Sequence, residues 1–378
     1  MQDTDPRQPS LARVDTLDIA DWIRLVEAPG VGCRTAKVLL DVFGAPAAIF
    51  RAGHAALAAH VPAACASALC APLSPQTARL LDATLAWCEQ PDRHLLTLHD
   101  PDYPAALRHI PDPPPLLYLH GRRALLQAPM LAIVGSRNAS TQGCANAGNF
   151  ARALADAGLC VVSGMALGID TAAHEGALQG AGSTIAVIGT GIDRVYPARN
   201  RALAHRIADL GCIVSEYALG TPPVENNFPR RNRIISGMVA GVLVVEAAAQ
   251  SGSLITAQMA AEQGREVFAL PGSIHSALAK GCHQLIREGA RLVETVDEVL
   301  DAMRISPLAR TPALAVSIDA DEDDALLAAL GHDPVEPDAL LARVGGDAAA
   351  LAGELLALEL AGLVERLPGG RVQRVVRT

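Results

Sequence analysis

The stretch that decides the fold is residues 130–164, which read MLAIVGSRNASTQGCANAGNFARALADAGLCVVSG. It begins with five apolar residues, Met130–Val134, which predict a strand buried on both faces. A helical pattern over Gly143–Ala157 and a second apolar run, Cys160–Ser163, follow. This strand–helix–strand order is typical of a parallel sheet in an α/β domain.

The same alternation continues to about residue 293. Further strands are predicted at Thr184–Ile188, Cys212–Ser215, Val242–Val245, Glu266–Ala269 and Arg291–Val293. Further helices are predicted at Asp170–Leu178, Arg199–Asp209 and Ser253–Gln263. The pattern predicts a Rossmann-like, doubly wound and mostly parallel sheet with helices on both faces.

The segment before this domain has a different pattern. After a frayed tail over residues 1–10, helical spacing at Leu17–Leu25, Cys33–Phe43 and Thr77–Cys88 predicts an all-α domain over residues 11–100. The proline-rich residues 101–115 predict an extended connector that opens the Rossmann-like domain, assigned to residues 101–303.

The C-terminal segment predicts a small separate domain. Residues 304–322 are assigned to a linker and residues 323–378 to a winged helix. Its elements are helical patterns at Asp324–Leu330, Pro337–Val344 and Ala348–Ala361, and a hairpin turning at Pro368-Gly369-Gly370. The last of these helices contains Glu354 and Glu359 but no lysine or arginine, which opposes major-groove reading.

Composition excludes several classes of protein. The chain has 378 residues, 50% of them apolar, and a net charge of −9. It has no run of about 20 apolar residues and no secretory signal, so we expect neither a membrane span nor export. Its eight cysteines form no Cys-x-x-Cys and no zinc spacing, which predicts free thiols in the cytoplasm and no metal.

The loops after the predicted strands are rich in small residues. They are Gly135–Asn138, Ser163–Asp170, Gly189–Asp193 and Glu246–Thr256. Because ligands bind beyond the carboxyl ends of parallel strands, these loops predict a cradle of backbone donors for phosphate. The helix after the first loop is expected to present free N–H groups to an anion.

Arginines accompany these loops. Only Lys37 and Lys280 of the 31 basic residues are lysines, so anion contacts must come mostly from guanidinium groups. Arginines stand at positions 194, 199, 201 and 206, and again at 230, 231 and 233 after Phe228-Pro229. Arginine beside Phe228 and Tyr196 suits single-stranded nucleic acid. Arg201 and Arg206 could instead be solvent-exposed residues on a helix face without a role in binding. Phe228 and Tyr196 could instead be ordinary packing residues.

Nucleotide and catalytic signatures are missing. No Gly-x-x-x-x-Gly-Lys-Ser/Thr occurs, and the first loop reads Gly-Ser-Arg-Asn-Ala-Ser, so neither P-loop hydrolysis nor dinucleotide binding is predicted. Asp170 is interpreted as a helix cap and His174 as a packing residue. We therefore predict no catalytic residue and no cofactor.

Eight stretches resemble the DNA-processing protein A (DprA, or Smf) family. They include Ile133–Arg137, Ser163–His174, Ala186–Asp193, Tyr196-Pro197 with Asn200, Phe228–Ile235, Ser251–Ala257, Pro271-Gly272 and Gly281–Gly289. The resemblance implies a cytoplasmic homodimer that binds single-stranded DNA, protects incoming DNA during natural transformation and loads the RecA recombinase. It implies no catalytic turnover.

The resemblance and the loops together give a set of candidate residues. Arg137 matches the arginine that the family uses on DNA phosphates, and His283–Leu292 matches the region of self-association. The candidate DNA-binding residues are Gly135, Ser136, Arg137, Ser163, Gly164, Gly168, Gly189, Gly191, Arg199, Asn200, Phe228, Arg230, Asn232, Arg233, Ser251, Gly252 and Ser253. The candidate dimer residues are His283, Ile286 and Leu292.

Two further comparisons bear on these expectations. Relatives often carry lysine where this chain has Leu167, Ala198 and Glu225, and Arg199 and Arg201 are the candidate replacements. The segment Ala28–Lys37 looks like a helix-hairpin-helix turn, in which Gly30 and Gly32 would approach a DNA phosphate; a plain helix turn is the alternative.

A nucleotide-processing enzyme is the rival function. The domain is also similar to Rossmann-like nucleoside-monophosphate phosphoribohydrolases, whose signature is Pro-Gly-Gly-x-Gly-Thr-x-x-Glu. Here the corresponding loop, residues 249–256, reads AQSGSLIT and lacks that glutamate.

Overall fold

The computed structural model describes residues 16–305, 325–331, 333–367 and 369–375. The expected tail over residues 1–10, the linker from residue 306 onward and Pro368 of the predicted hairpin lie outside the described residues.

The described α-helices fall into three groups along the chain. Those before the sheet are α1 (Thr16–Val26), α2 (Cys33–Phe43), α3 (Pro46–Arg51), α4 (His54–Ala58), α5 (Ala63–Cys70), α6 (Pro75–Cys88) and α7 (Ala105–Arg108). Those among the strands are α8 (Thr141–Asp156), α9 (Ile169–Ala177), α10 (Arg201–Leu210), α11 (Asn227–Met238), α12 (Gly252–Glu262), α13 (Lys280–Arg287) and α14 (Val296–Ala302). The C-terminal ones are α15 (Ala325–Leu330), α16 (Pro337–Val344) and α17 (Ala348–Leu360). Short 3-10 helices cover Arg123–Gln127, Ala198–Asn200 and Ala277–Ala279.

The main sheet is doubly wound and mostly parallel. Its strands are β1 (Arg93–Thr97), β2 (Leu116–Gly121), β3 (Met130–Val134), β4 (Cys160–Ser163), β5 (Thr184–Val187), β6 (Cys212–Ser215), β7 (Gly241–Val244), β8 (Glu266–Ala269) and β9 (Arg291–Leu292). Their order in the sheet is β1-β2-β6-β5-β4-β3-β7-β8-β9. The pairings from β6 through to β9 are parallel, whereas β2 runs antiparallel to β6.

Chain contacts divide the molecule into two compact units. The first comprises residues up to Pro91 with Leu95–Asp100 and Pro111–Leu117, and the second comprises the rest. The first unit has its own core, in which Trp22, Leu39 and Leu69 are fully buried. Between α1 and α2, Gly30 takes a φ of +79°, a left-handed conformation that favours glycine.

Helices cover both faces of the sheet in the second unit. On one face, Leu131, Ile133 and Val161 are buried beneath apolar residues of α8, α9 and α14. Successive side chains of a strand alternate between faces, so Ala132 and Val242 point to the other side, where α11 and α12 contact the strands. Burial on both faces explains why these strands are almost entirely apolar.

The C-terminal elements form the predicted winged helix. Strands β10 (Val364–Arg366) and β11 (Val372–Arg374) pair as an antiparallel hairpin, and a bridge between Val335 and Val372 adds a third short segment. Leu327, Leu340 and Leu355 of the three helices are buried in their common core.

The predicted fold class is confirmed, with several elements added. No strand is predicted before Met130, yet β1 and β2 are present, and α7 lies within the expected connector. Helix α11 is not predicted either, because its sequence NFPRRNRIISGM has a proline and three arginines in place of a regular apolar stripe. No helix in the described part of the chain has the length and apolarity needed to cross a membrane.

Candidate nucleic-acid interface

A cleft opens where the chain direction of the sheet reverses. From β3 the chain proceeds to β4 on one side, while β7 adds on the other. Ligands of doubly wound sheets bind at such a topological switch point, beyond the carboxyl ends of the strands. Here the switch-point cleft has a volume of about 420 Å³ and is lined by loops after β3, β4 and β7 and by the start of α11 and α12.

Eight of the candidate DNA-binding residues line this cleft. They are Gly135, Ser136, Arg137, Phe228, Asn232, Ser251, Gly252 and Ser253. The cleft thus combines three predicted loops that are far apart in the sequence, and the charged residues lining it are Arg137, Asp170 and Arg231.

The loop after β3 is held by close backbone packing. A Cβ at Gly135 would lie 2.8 Å from the carbonyl oxygen of Glu246, so only glycine fits. The next N–H, of Ser136, donates to that same carbonyl at 2.7 Å. This fixed loop leaves the Arg137 side chain exposed at the edge of the cleft.

The start of α8 is not a free anion site, contrary to the sequence-based expectation. Its N-terminal N–H groups are taken by protein oxygens: Ser140 Oγ accepts from Gly143 at 2.9 Å and Glu365 Oε2 accepts from Thr141 at 2.7 Å. Glu246 Oε2 accepts from Ser140 itself. Burial raises the pKa of Glu246, and the two hydrogen bonds from Ser140 oppose that shift.

The start of α12 faces the cleft instead. Ser251 caps this helix, and its Oγ accepts the Ser253 N–H at 3.3 Å. The N–H of Gly252, at the first position of the helix, donates to no residue in the described ranges. Ser251, Gly252 and Ser253 all line the cleft, so the positive end of the helix dipole is directed toward it.

Arg231 is a cation buried beside the cleft. Only 5% of it is exposed. Its Nη1 donates to the carbonyl oxygens of Gly164 (2.5 Å) and Val187, and its Nε donates to Asn232 Oδ1. Burial lowers the pKa of Arg231, and the nearby carboxylate of Asp170 opposes that shift.

Asp170 does not cap the helix as expected. It lies in the first turn of α9, where Gly168 occupies the cap position. Its Oδ2 accepts the N–H groups of Gly164 at 3.1 Å and Ala166 at 3.2 Å. Burial raises the pKa of Asp170, whereas Arg231 and these bonds lower it. Asp170 therefore holds the loop after β4.

Four candidate glycines support the cleft without lining it. An added Cβ would meet the Arg231 guanidinium at Gly164, the Ser136 carbonyl at Gly168, the Phe228 ring at Gly189 and the Ala218 carbonyl at Gly191. The structure thus assigns these four glycines to close packing between loops rather than to a phosphate cradle.

Three polar candidates also prove to be structural. Arg233 pairs with Glu216, and both side chains are only 8% exposed. Asn200 is buried and donates to Met165 O and Thr171 Oγ1. The Ser163 hydroxyl is buried and donates to Ile133 O at 2.6 Å. None of the three lines the cleft, which corrects their assignment to a DNA contact.

Two candidate arginines lie outside the cleft but on the surface. Arg199, on the short 3-10 helix after β5, and Arg230, on α11, are both exposed. Nearby, the Tyr196 and Phe228 rings contact each other with centroids 5.4 Å apart. Tyr196 is 48% exposed, which leaves ring surface open to solvent.

His174 has the packing role that its sequence position suggested. It is fully buried, and its Nδ1 lies 2.7 Å from Thr184 Oγ1. Burial lowers the pKa of His174 to about 3, so the ring is neutral at physiological pH.

The three candidate dimer residues lie near one edge of the sheet. Leu292 is in β9, the last strand of the sheet, and is 45% exposed. His283 and Ile286 are on α13 and are half-buried, with His283 Nε2 2.9 Å from Gly272 O.

The residue that contributes a buried charge to the cleft, Arg231, is not among the candidates predicted from the sequence. Arg231 belongs to the arginine-rich stretch at residues 230–233, but only its neighbours Arg230 and Arg233 are among the candidate DNA-binding residues. Which of these arginines reaches the cleft depends on the orientation of α11, an element that was not predicted. Recognising that helix would have placed the three side chains on different sides of it.

Comparison with known proteins adds independent evidence. A family model described as DNA recombination-mediator protein A matches residues 94–304, and one described as the DprA winged helix domain matches residues 297–370. The chain is 42% identical to Protein Smf of Escherichia coli (strain K12) over 301 residues, which cover 78% of this chain and 80% of that protein. It is 50% identical to the DNA processing protein DprA of Streptococcus pneumoniae (strain ATCC BAA-255 / R6) over 201 residues, 53% of this chain and 71% of that protein.

Solved structures give the same result. The X-ray structure of DNA processing protein A from Streptococcus pneumoniae matches with a TM-score of 0.65 and 36% identity, over 76% of this chain and 98% of that chain. A Helicobacter pylori structure matches with a TM-score of 0.51 and 30% identity, over 56% of this chain and 96% of that chain. Its description concerns the unique single-stranded DNA binding mode of the Helicobacter pylori DNA processing protein A.

Proposed function

Because this chain belongs to the DNA recombination-mediator protein A (DprA/Smf) family, we propose that it binds single-stranded DNA in the switch-point cleft. The observation that carries the proposal is Arg137, an exposed guanidinium on a rigid loop at the edge of a cleft whose other charged side chains are Arg231 and Asp170. Two cations against one anion give the cleft a net charge of +1.

The chemistry of the cleft suits a nucleic-acid strand. A guanidinium offers parallel N–H donors that match a phosphate. Phe228 supplies a ring beside the charges, and bases of any sequence stack on such rings. The expected binding is therefore tolerant of sequence and weakened by salt.

The test is titration of a labelled thymidine oligonucleotide with the full chain, followed by fluorescence polarisation. Arg137→Ala should weaken binding by about tenfold or more, since hydrogen bonds to charged groups contribute roughly 1.5–3 kcal/mol. It should also reduce the slope of log affinity against log salt by about 0.7. Unchanged affinity and slope would remove Arg137 from the interface.

Arg152→Ala is the matched control. Arg152 is an exposed arginine on α8, with its Nε 3.9 Å from Asp156 Oδ2. It lies 11 residues into the helix, about 16 Å from the start at 1.5 Å per residue. Both variants lose one positive charge. An effect of net charge alone would therefore weaken oligonucleotide binding equally in Arg137→Ala and Arg152→Ala.

Two further roles belong to the same proposal: a cytoplasmic homodimer, and loading of RecA onto the DNA that the dimer protects. Exposed Leu292 on the last strand and half-buried Ile286 support self-association through this edge. Leu292→Arg should give monomers in light scattering, whereas the outward-facing Leu210→Arg should not. RecA loading is tested by filament formation on DNA coated with single-strand-binding protein.

The protein is proposed to act by binding and without catalytic turnover. The rival phosphoribohydrolase function has no support from the relatives found, which are Smf and DprA proteins. Asp170 is the acidic residue among those that line the cleft, and it is engaged by two backbone N–H groups. Robust release of a free base from nucleoside monophosphates would overturn this part of the proposal.

A further inference from the structure

The cleft contains a charged group that the protein satisfies only in part. Arg231 is 5% exposed and lines the cleft, and its Nε and Nη1 have protein acceptors. Its Nη2 donates to no residue among those that the structure describes. An anion in the cleft would give this nitrogen the charged acceptor that the described residues do not provide.

A second donor lies in the same cleft. The Gly252 N–H begins α12, which has 11 residues, and it too lacks an acceptor in the described ranges. An anion bound to this helix end gains from both the free N–H and the helix dipole. The two donors belong to different elements, α11 and α12, and converge on one cavity.

The remaining walls suit one base. Phe228, Pro229 and Ile255 supply apolar surface, while Asn138 and Gln250 supply amides that can donate and accept hydrogen bonds. The volume of about 420 Å³ is near the lower end of the range for small-molecule pockets, roughly 300–1,000 Å³. That space is suited to a single nucleotide rather than to a stacked run of several.

We propose that the switch-point cleft is a single-nucleotide site that also takes a free deoxynucleoside monophosphate, with the phosphate between Arg231 and the start of α12. This inference rests on the proposed function, because it assigns a ligand to the same cleft. A free nucleotide then competes with single-stranded DNA for the protein.

The test measures direct binding of dTMP by calorimetry and displacement of a labelled thymidine oligonucleotide by dTMP. Thymidine and inorganic phosphate are separate arms at matched ionic strength. We expect dTMP to bind at least about tenfold more tightly than either fragment, because it uses the donors and the apolar wall together. Equal potency of phosphate and dTMP would reduce the site to a simple anion site and overturn the proposal.

Two variants locate the phosphate. Arg231→Met should weaken dTMP binding about tenfold or more, by loss of a charged donor. Since Arg231 is buried and this change affects folding, Gly252→Asp is the second variant: its Cβ meets open space, and an acid at a helix start is compatible with the helix. Its carboxylate should repel dTMP while the melting temperature is kept, and wild-type dTMP affinity in this variant contradicts the proposal.

The outcomes separate the two hypotheses. Tight oligonucleotide binding with no heat from dTMP and no displacement overturns the single-nucleotide site and leaves the proposed function standing. Binding of dTMP without any oligonucleotide binding supports the site and overturns the proposed function. Arg152→Ala should match the wild type in every arm.

Discussion

Asp170 and Arg231 hold the two backbone polar groups of one residue, Gly164, in the loop after β4. The carboxylate accepts the Gly164 N–H at 3.1 Å, and the guanidinium donates to the Gly164 carbonyl at 2.5 Å. Opposite charges, both buried, thus fix the backbone that supports the cleft. Removing either partner would leave the other as an uncompensated buried charge.

Gly164→Ala should destabilise the protein. The added Cβ would lie 2.5 Å from the Arg231 Cζ, so the guanidinium or the loop must move. Overpacking of this kind costs about 1–3 kcal/mol, measured as a lower free energy of unfolding in urea. Gly252→Ala is the control because its Cβ meets open space. Equal stability of the two variants would contradict the packing described for Gly164.

Truncation of Arg233 should lower the stability of the protein, whereas truncation of Arg230 should weaken DNA binding. Arg233→Ala removes one side of a buried ion pair with Glu216, and the free energy of unfolding should fall by roughly 3–5 kcal/mol. Arg230→Ala, at an exposed position, should change stability by less than about 0.5 kcal/mol and weaken binding to the oligonucleotide. Urea unfolding measures the stability of both variants, and fluorescence polarisation measures their binding to the oligonucleotide. A stable Arg233→Ala variant with impaired binding would show that Arg233 contacts DNA.

Phe228 should contribute to oligonucleotide binding by stacking of its ring on a base, and not through its apolar volume. Phe228→Leu keeps an apolar side chain beside Gly189 but removes the ring next to Tyr196. Because a base stacked on a ring is stabilised by about 1–3 kcal/mol, oligonucleotide affinity should drop by several-fold or more. Phe228→Tyr, which keeps the ring, should bind like the wild type; equal affinities for all three proteins would exclude stacking.

His174 should make stability depend on pH. Its pKa is lowered from 6.5 to about 3 in the folded protein, so below pH 6.5 the unfolded chain binds a proton that the folded chain does not. Its stabilising contribution is complete above pH 6.5 and is lost as the pH falls toward 3, at up to about 1.4 kcal/mol per pH unit.

The measurement for His174 is the free energy of unfolding in urea at pH 7, 6 and 5. His174→Gln lacks the titrating group, so the wild type should lose more stability than this variant over that interval. Parallel pH profiles would show that folding does not lower the pKa of His174. Carboxylates are common to both proteins and cancel in the comparison.

Much of the architecture was predictable because it follows from local patterns. Burial on both faces forces strands such as Met130–Val134 and Cys160–Ser163 to be continuously apolar, and both have the predicted bounds. Elements without such a pattern were missed: β2 follows a proline-rich stretch, and α11 is dominated by arginine and asparagine at its start. Their conformations depend on pairing with β6 and on packing against distant strands.

For the cleft, the sequence by itself determined the residue types and the loops: glycine and serine after β3, β4 and β7, with arginines nearby. Only the tertiary structure decided which side chains face the cleft. It turned Arg231 toward the cleft and Arg233 toward Glu216, and it closed the start of α8 with Glu246 and Glu365 while leaving that of α12 open. The physical reason is that the composition of a loop is a local property of the sequence. The partner of a buried charge is instead a residue far away in the sequence, which only the folded chain brings close.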